Sequence, residues 1–257
     1  MGDKAFSKNK QGQVTLFIII AIIIVALVVI IYAFFPKIKS GLNLETKSPQ
    51  VFIQSCLEDE LEEIVQNISL QGGSINPESS YLFDGYSLEY LCYTNEYYEL
   101  CNVQQPFLKN HIEEEIENEL IPKVNECFAA LVEDYSNKGY GANLIKGQVK
   151  AELLPKRVVL SIPHNLTLTK DSTERFSSFN IVLNNNLYEL VSIAKSIVEL
   201  ETTLGEADKL YYMMIYHDLR VEKFEQSEGS RVYVLTDRNN ENKLQFAVRS
   251  VAFPAGY

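Results

Sequence analysis

An uninterrupted apolar run near the N-terminus limits what this chain can fold into. It extends from Leu16 to Phe35, 20 residues without a charge, glycine or proline, and its only polar side-chain group is the hydroxyl of Tyr32. As a helix it would be about 30 Å long, the thickness of the hydrocarbon core of a bilayer. A helix also satisfies its backbone hydrogen bonds internally, as lipid requires. The run therefore predicts a transmembrane helix over residues 16–35.

A buried core helix and a cleaved secretory signal are the two alternatives. Core helices are rarely this long and apolar on every face. A secretory signal has a shorter apolar region, about 7–15 residues, followed by small residues at a cleavage site, whereas this run ends in aromatic residues before Pro36. We therefore predict an uncleaved anchor, preceded by a basic head (residues 1–15) and followed by a short polar stalk (residues 36–47).

The orientation of this anchor is not decided by its lysines, because three lie before it and three follow it within the stalk. The short basic head is typical of a signal-anchor, and all four cysteines lie on the C-terminal side. We therefore predict a cytoplasmic N-terminus and a single-pass protein of the cell membrane. Residues 48–257 would then lie outside the cell as one ectodomain.

The charge balance excludes one class of partner. The chain has 34 acidic and 23 basic residues, a net charge of −11. The first twelve residues carry three basic and one acidic residue, so the remainder has a net charge of −13. Phosphate binding needs a basic face, and the sequence therefore predicts no nucleic-acid partner. The expected partners are the lipid bilayer and other envelope proteins.

The ectodomain contains three clear helical patterns. Ser48-Pro49 is a helix start, and apolar residues then recur at spacings of three and four until Gly72-Gly73. A second helix is predicted over residues 107–135, with Pro122 expected to kink or interrupt it. A third helix is predicted after Asn184-Asn185-Asn186, with Leu204 as the last residue of its apolar stripe.

Strands are predicted between and after these helices. They are expected within the tyrosine-rich stretch 74–106, at 146–154, 156–163 and 174–183, and at 219–224, 230–236 and 243–250. Residues 210–216 are ambiguous between helix and strand. This order predicts an α+β fold, with helices packed on antiparallel sheet. The clustered tyrosines are expected to pack across strands, a partner or glycan surface being the alternative.

Cys56, Cys92, Cys101 and Cys127 permit three pairings. Cys92 and Cys101 would lie directly opposite each other if residues 96–97 form a two-residue hairpin turn. Cys56 and Cys127 each lie on the apolar stripe of a helix, so packing of the two helices would join them. Two disulfides are the prediction for a domain outside the cell, and four buried free thiols are the alternative.

Two segments match the N-glycosylation sequon. They are Asn67-Ile68-Ser69 and Asn165-Leu166-Thr167. Asn165 is the better candidate acceptor, because it follows a proline and lies near a predicted strand end.

No catalytic motif is visible in the chain. Its histidines are His111, His164 and His217, and none has the spacing of a zinc protease. His217-Asp218 could be a base and its orienter, although adjacent side chains usually point apart. The acidic run over residues 113–119 is expected to be a solvated helix face rather than a cation site. The sequence therefore predicts a protein without enzymatic activity, bound metal or cofactor.

The segment Lys10-Gln11-Gly12-Gln13-Val14-Thr15-Leu16-Phe17 resembles the class III signal segment of archaeal pilin-like proteins. In that family a peptidase cuts after the glycine, and the resemblance implies processing between Gly12 and Gln13. Thr15 stands where the family has serine. Phe17 stands in place of the glutamate that registers neighbouring pilin subunits, a departure that argues against filament assembly.

The ectodomain resembles uncharacterised single-pass membrane proteins of small-genome archaea. The segments that carry the resemblance are Ser55-Cys56-Leu57-Glu58, Leu70-Gln71-Gly72-Gly73, Asn125-Glu126-Cys127 and Phe246-Ala247. It implies a cell-envelope protein and brings no catalytic residues. We therefore expect a membrane-anchored envelope protein with a structural or interaction role. A processed pilin-like subunit is the first alternative, and a membrane-tethered hydrolase with paired carboxylates or a metal is the second.

Overall fold

The computed structural model describes residues 24–25 and 48–254. The chain divides into two units, Met1–Ser48 and Pro49–Tyr257. Of the predicted anchor over 16–35, only two residues at its centre are described, as helix, and the rest lies outside the described residues. Among the described residues, no helix combines the length and the apolar character needed to cross a membrane.

Residues 48–254 mix helices and strands, which confirms the α+β class. The helices are α1 (Pro49–Leu70), α2 (Leu108–Asn137), α3 (Leu187–Leu204) and α4 (Lys209–Ile215). The strands are β1 (Ser80–Phe83), β2 (Tyr86–Tyr93), β3 (Asn102–Val103), β4 (Gly141–Ile145), β5 (Lys150–Leu154), β6 (Arg157–Ile162), β7 (Asn165–Thr169), β8 (Thr173–Phe176), β9 (Phe179–Leu183), β10 (Leu219–Glu225), β11 (Ser230–Asp237) and β12 (Lys243–Arg249).

The largest sheet has six strands in the order β1-β2-β12-β11-β10, with β3 paired to β2. Its pairs are antiparallel except β2 and β12, which run parallel with Tyr90 opposite Ala247. The expectation of antiparallel pairing is wrong at this pair, because most of the domain lies between the two strands and no short turn joins them. One face of the sheet belongs to the main core with α1, α2 and α3. A smaller cluster around Leu88 and Val232 occupies the other face.

Two three-stranded sheets, β4-β7-β8 and β5-β6-β9, form a single bent meander. Each of its three long strands is divided into two, and the first two breaks meet at Gly147 and Pro163. A Cβ atom on Gly147 would lie 2.4 Å from the Pro163 carbonyl oxygen, so the two chains can cross closely only with glycine there. The predicted strands over 146–154 and 156–163 therefore end at this bend, and β4, β7 and the division of the third strand were not predicted.

Helices α1 and α2 begin and end close to the predicted positions and pack against each other. Helix α1 starts at Pro49 and gives way to Gly72, whose φ of +86° favours glycine. A Cβ atom on Gly72 would also lie 2.9 Å from the backbone nitrogen of Glu89. Helix α2 continues through Pro122 without interruption. Buried residues on both sides of that proline hold the helix against the core, which outweighs the local preference.

The C-terminal third follows the predicted order of elements. Helix α3 buries its apolar stripe, but Leu204 at its end is 73 % exposed, so its assignment to that stripe is wrong. The helix ends at Leu204 because the next residue, Gly205, adopts a left-handed conformation. Residues 210–216 proved largely helical, as α4. Strands β10 to β12 confirm the three terminal strands.

Candidate functional site

A cleft of about 480 Å³ opens where the start of α3, the end of α4 and the adjoining ends of β10 and β11 meet. Its apolar lining is formed by Leu190, Ile193 and Leu219, which are buried, and by Tyr216, which is half exposed. Amides predominate among its polar lining residues, which are Lys156, Asn184, Asn185, Asn186, Glu189, Asp218, Asp237, Asn239 and Asn240. We call this site the asparagine cleft. Its size is within the range of small-molecule sites.

Asn186 is held at the centre of this lining by three side chains. Its amide nitrogen donates to Asp237 Oδ2 at 2.6 Å, and its oxygen accepts from Asn242 Nδ2 at 2.8 Å and, less closely, from Asn240. The other oxygen of Asp237 accepts from the backbone nitrogen of Asn239 at 2.7 Å. These bonds fix the positions of the polar groups before any ligand arrives.

The opposite rim is tied to the turn between β5 and β6. Glu189 accepts from the backbone nitrogen of Lys156 through both carboxylate oxygens, at 3.0 and 3.3 Å. Asn185 Oδ1 accepts from the nitrogen of Leu187 at 2.8 Å and so satisfies a free N–H of the first turn of α3. The predicted Asn184–Asn186 helix start thus also forms a wall of the cleft.

Three carboxylates and one lysine give the cleft a net negative charge. Two of the carboxylates, Glu189 and Asp237, have both oxygens engaged within the protein. Within residues 48–254 the third, Asp218, makes no hydrogen bond or ion pair through its side chain. Asp218 lines the cleft and its neighbour His217 does not, so the structure does not assemble them as a base and an orienter. The arrangement suits binding through fixed polar groups better than proton transfer.

Helix α4 presents an exposed apolar surface beside the cleft. Tyr212 is buried and bonds through its hydroxyl to Ser196 at 2.9 Å, which fixes the helix to the domain. The other side, which we call the α4 face, consists of Leu210, Tyr211, Met214, Ile215 and Tyr216, each 47–77 % exposed. Tyr216 belongs to both the α4 face and the asparagine cleft. Contiguous exposed apolar residues of this kind mark interaction sites.

Both cysteine pairs are bonded in the structure. Cys56 and Cys127 join α1 to α2 with a Cα–Cα distance of 6.1 Å, as the packing of their stripes predicted. Cys92 and Cys101 are also joined, with a Cα–Cα distance of 5.4 Å. The hairpin expected for this second pair is wrong, because Cys92 lies opposite Val103 and a longer loop follows β2. That loop bonds instead to the C-terminal segment, where Tyr98 N donates to the Ala252 oxygen at 3.0 Å.

The two sequon asparagines are both exposed but differ in their surroundings. Asn67 lies within α1, and the hydroxyl of its sequon residue Ser69 is buried and donates to the Val65 oxygen at 2.6 Å. Asn165 is the first residue of β7, at a strand end as predicted. Its position remains compatible with glycosylation, which stays a prediction. Gly12 and Gln13 lie outside the described residues.

The acidic run on α2 is not simply a solvated face. Glu113 is 9 % exposed, and its Oε1 accepts from the backbone nitrogen of Leu153 at 2.7 Å. Glu117 Oε1 accepts from the nitrogen of Ala151 at 3.0 Å, and Glu115 from a backbone nitrogen after α1. The expectation failed for Glu113 and Glu117 because β5 is an edge strand whose outward N–H groups need acceptors. It failed for Glu115 because this side chain accepts from the backbone nitrogen of Ile75. Glu114 and Glu119 are exposed as expected.

The tyrosine-rich stretch divides into packed and exposed residues. Tyr90 contacts the rings of Tyr81 and Tyr93, at centroid distances of 6.5 and 4.9 Å, and its hydroxyl bonds to Ser230. The contact between Tyr81 on β1 and Tyr90 on β2 is the cross-strand packing that was predicted, whereas Tyr90 and Tyr93 lie on the same strand. Tyr86, Tyr97 and Tyr98 are exposed instead.

A serine, a glutamate and a histidine meet in a second cleft that sequence reasoning missed. Ser74 Oγ donates to Glu89 Oε2 at 2.6 Å and lies 2.6 Å from His111 Nε2. Because the hydroxyl proton faces the carboxylate, the imidazole must donate to the serine and cannot act as its base in this state. The side-chain nitrogen of Gln105 donates to the other oxygen of Glu89 at 2.8 Å. The cluster is therefore a closed hydrogen-bond network that fixes the turn after α1.

A fully buried charge on α3 was also missed. Glu201 Oε2 lies 2.7 Å from Arg231 Nη2, and Glu201 Oε1 accepts from the hydroxyl of Tyr233. Burial raises the pKa of Glu201, and the Arg231 charge opposes this effect. Burial, followed by the Glu201 charge, raises the pKa of Tyr233, so the phenol stays protonated as a donor. One feature of the sequence could have indicated that Glu201 is buried: it lies four residues after Ile197, on the apolar stripe of the helix.

No group of three or more histidine, cysteine, aspartate or glutamate side chains within the described residues could hold a metal ion. Compared with models of known protein families, with curated proteins and with solved structures, the chain has no significant match. Fold and site thus define an α+β domain with two disulfides, a polar cleft and an exposed apolar helix.

Proposed function

We propose that this chain is a membrane-anchored protein of the cell envelope that acts by contact with other molecules. Residues 16–35 would anchor it in the bilayer, with the N-terminus in the cytoplasm and residues 48–257 outside. The apolar run supports the anchor. The two disulfides support the orientation, because such bonds persist in oxidising compartments.

The α4 face is the observation that carries the interaction role. Leu210, Met214 and Ile215 together expose apolar surface, and the buried Tyr212 holds the helix in that orientation. Water contact with this surface is unfavourable, and burial against a partner would remove it. Another envelope protein is the partner we propose for it.

Labelling of intact cells tests the orientation. An impermeant amine-reactive biotin reagent should modify lysines of the segment 48–254 without lysis, while a cytoplasmic protein in the same cells stays unlabelled. Modification that appears only after lysis would contradict the proposed topology.

Site-specific photo-crosslinking tests the contact. A photoreactive residue in place of Met214 should give adducts with another envelope protein in intact cells. Leu82 is the matched control, because it is 71 % exposed on β1 and lies outside the α4 face. Equal adduct yields at the two positions would argue against a specific interaction surface.

A pilin-like subunit processed after Gly12 is the second candidate, which the Gly12-Gln13 segment favours. Mass spectrometry of the mature protein distinguishes it, because processing would leave Gln13 as the first residue. An intact 1–12 segment would exclude it. A membrane-tethered hydrolase has weaker support, since the Ser74 cluster does not present a base to its serine.

A further inference from the structure

We propose that the asparagine cleft binds a neutral saccharide. The proposal rests on the interaction role given above and deepens it, because it names the chemical class that the cleft takes up. The asparagine cleft shares only Tyr216 with the α4 face, so saccharide binding and the envelope-protein contact can be tested separately.

The chemistry of the lining matches that of a sugar. A pyranose ring has apolar C–H patches on its faces and hydroxyl groups around its edge, each of which both donates and accepts hydrogen bonds. The cleft offers an apolar surface from Leu190, Ile193 and Leu219, with the ring of Tyr216 at its edge. Amide side chains surround that surface, and each amide, like a hydroxyl, provides both a donor and an acceptor.

Several polar groups of the cleft are available to a ligand. Within residues 48–254 the side chains of Asn184, Asp218 and Asn239 make no hydrogen bond to the protein, and all three are exposed at the cleft. They are carried by a backbone that is itself fixed, since the network around Asn186 joins the α3 start to the β11 end. A rigid site loses less conformational entropy when it binds.

The charges in the cleft select against acidic ligands. Glu189, Asp218 and Asp237 face a single cation, Lys156. Nucleotides, sulfated glycans and uronic-acid polymers would all be repelled by this net negative charge, whereas an uncharged polyol would not. Carboxylates also accept strong hydrogen bonds from sugar hydroxyls. Between acidic and neutral sugars, the charge of the cleft therefore favours neutral ones.

Calorimetric titration of the full chain tests the proposal. The protein is reconstituted in phosphatidylcholine nanodiscs, which carry no sugar headgroup. Maltotetraose, mannotetraose and a galactose tetrasaccharide are the neutral probes, and tetragalacturonate is the acidic counterpart. We expect saturable heat with at least one neutral probe and none with tetragalacturonate. Absence of binding to all neutral probes, or preference for the acidic one, would overturn the proposal.

Cleft variants locate the binding. Asp218→Ala and Asn239→Ala should each weaken binding about fivefold, the loss of one hydrogen bond. Asp171→Ala, in the exposed turn between β7 and β8, is the control and should change nothing. Unchanged affinity in both cleft variants would overturn the assignment to this site. Circular dichroism confirms that each variant is folded.

Variants of the aromatic edge separate this proposal from the α4 contact. Tyr216→Phe keeps the ring and should bind within about twofold of the wild type, whereas Tyr216→Ala should lose at least fivefold. Met214→Glu should abolish the envelope-protein contact and leave saccharide binding intact. Loss of saccharide binding in Met214→Glu, or equal affinity in the two Tyr216 variants, would contradict the saccharide site without bearing on the anchor.

Discussion

His164 is held almost completely inside the domain, where its charge state affects stability. It is 2 % exposed, its ring lies 4.7 Å from that of Phe128, and Nδ1 accepts from the backbone nitrogen of Gly147 at 3.2 Å. An accepting Nδ1 carries no proton, so the imidazole is neutral. Burial, and then the charge of Lys146, lowers the pKa of His164.

The stability of the protein should therefore fall as the pH is lowered through about 6.5, the ordinary histidine pKa of the unfolded chain. In this pH range the unfolded state binds a proton at His164 that the folded state does not, so the free energy of unfolding decreases. The decrease levels off below the folded-state pKa. Urea unfolding at pH 7.5 and 5.5 measures the decrease. His164→Gln should reduce this pH dependence, while His217→Gln, at an exposed position, should retain it. If the free energy of unfolding of His164→Gln depended on pH as strongly as that of the wild type, the pH dependence would not come from His164.

Residue positions were predictable where local spacing decides them. The apolar stripe of α3 and the placement of Cys56 and Cys127 follow from helical periodicity alone. Glu201 did not follow, because its partners Arg231 and Tyr233 lie on a distant strand. A carboxylate on an apolar stripe has no visible explanation until the fold brings its cation beside it.

The contact between α2 and β5 shows how two elements satisfy each other's geometry. Glu113 and Glu117 are one helical turn apart, about 6 Å along the axis. Glu113 accepts from the backbone N–H of Leu153, and Glu117 accepts from the backbone N–H of Ala151. These two residues are two positions apart on β5, about 6.6 Å from each other. The near-equal spacing allows the helix to cover the free edge of the sheet.

Glu113→Ala should destabilise the domain by about 1–3 kcal/mol, because it leaves the N–H of Leu153 buried without an acceptor. Glu113→Gln retains an acceptor for this N–H and should reduce the free energy of unfolding by less than Glu113→Ala does. Glu114→Ala, at the exposed neighbouring position, is the matched control and should lie within about 0.5 kcal/mol of the wild type. Urea unfolding gives all three values. Equal losses in Glu113→Ala and Glu114→Ala would show that the edge does not depend on this carboxylate.

Elements joined by short turns were predicted more accurately than those joined by long-range contacts. The strands predicted over 146–154 and 156–163 are adjacent in sequence, and the structure pairs β5 with β6 across the turn at Pro155-Lys156. Strands were also predicted within 74–106, where β1 and β2 pair across the turn at Asp84-Gly85. The bend at Gly147 was not visible, since a lone glycine in a strand pattern can equally be a bulge or a turn. The parallel pairing of β2 with β12 has no local signal at all.

At the scale of the whole molecule, the two disulfides constrain very different lengths of chain. Cys56–Cys127 spans 71 residues and holds α1 against α2, while Cys92–Cys101 spans only 9. The α+β class was predictable from the order of the elements, and the Cys56–Cys127 pairing from the apolar faces of two helices. The Cys92–Cys101 pairing was predicted from a two-residue hairpin, and the structure has a longer loop in its place. The arrangement of the asparagine cleft was not predictable, because its lining comes from four separate parts of the sequence.

Removing the long-range disulfide should cost more stability than removing the short one. In the chain-entropy description, loops of these lengths correspond to about 4 and about 2.5 kcal/mol, because closing a longer loop restricts the unfolded chain more. The paired variants Cys56→Ser/Cys127→Ser and Cys92→Ser/Cys101→Ser are compared by urea unfolding at pH 7.5. We expect the first pair to unfold at the lower urea concentration. The reverse order would mean that native contacts, such as those of the 94–101 loop with the C-terminal segment, outweigh loop entropy in this domain.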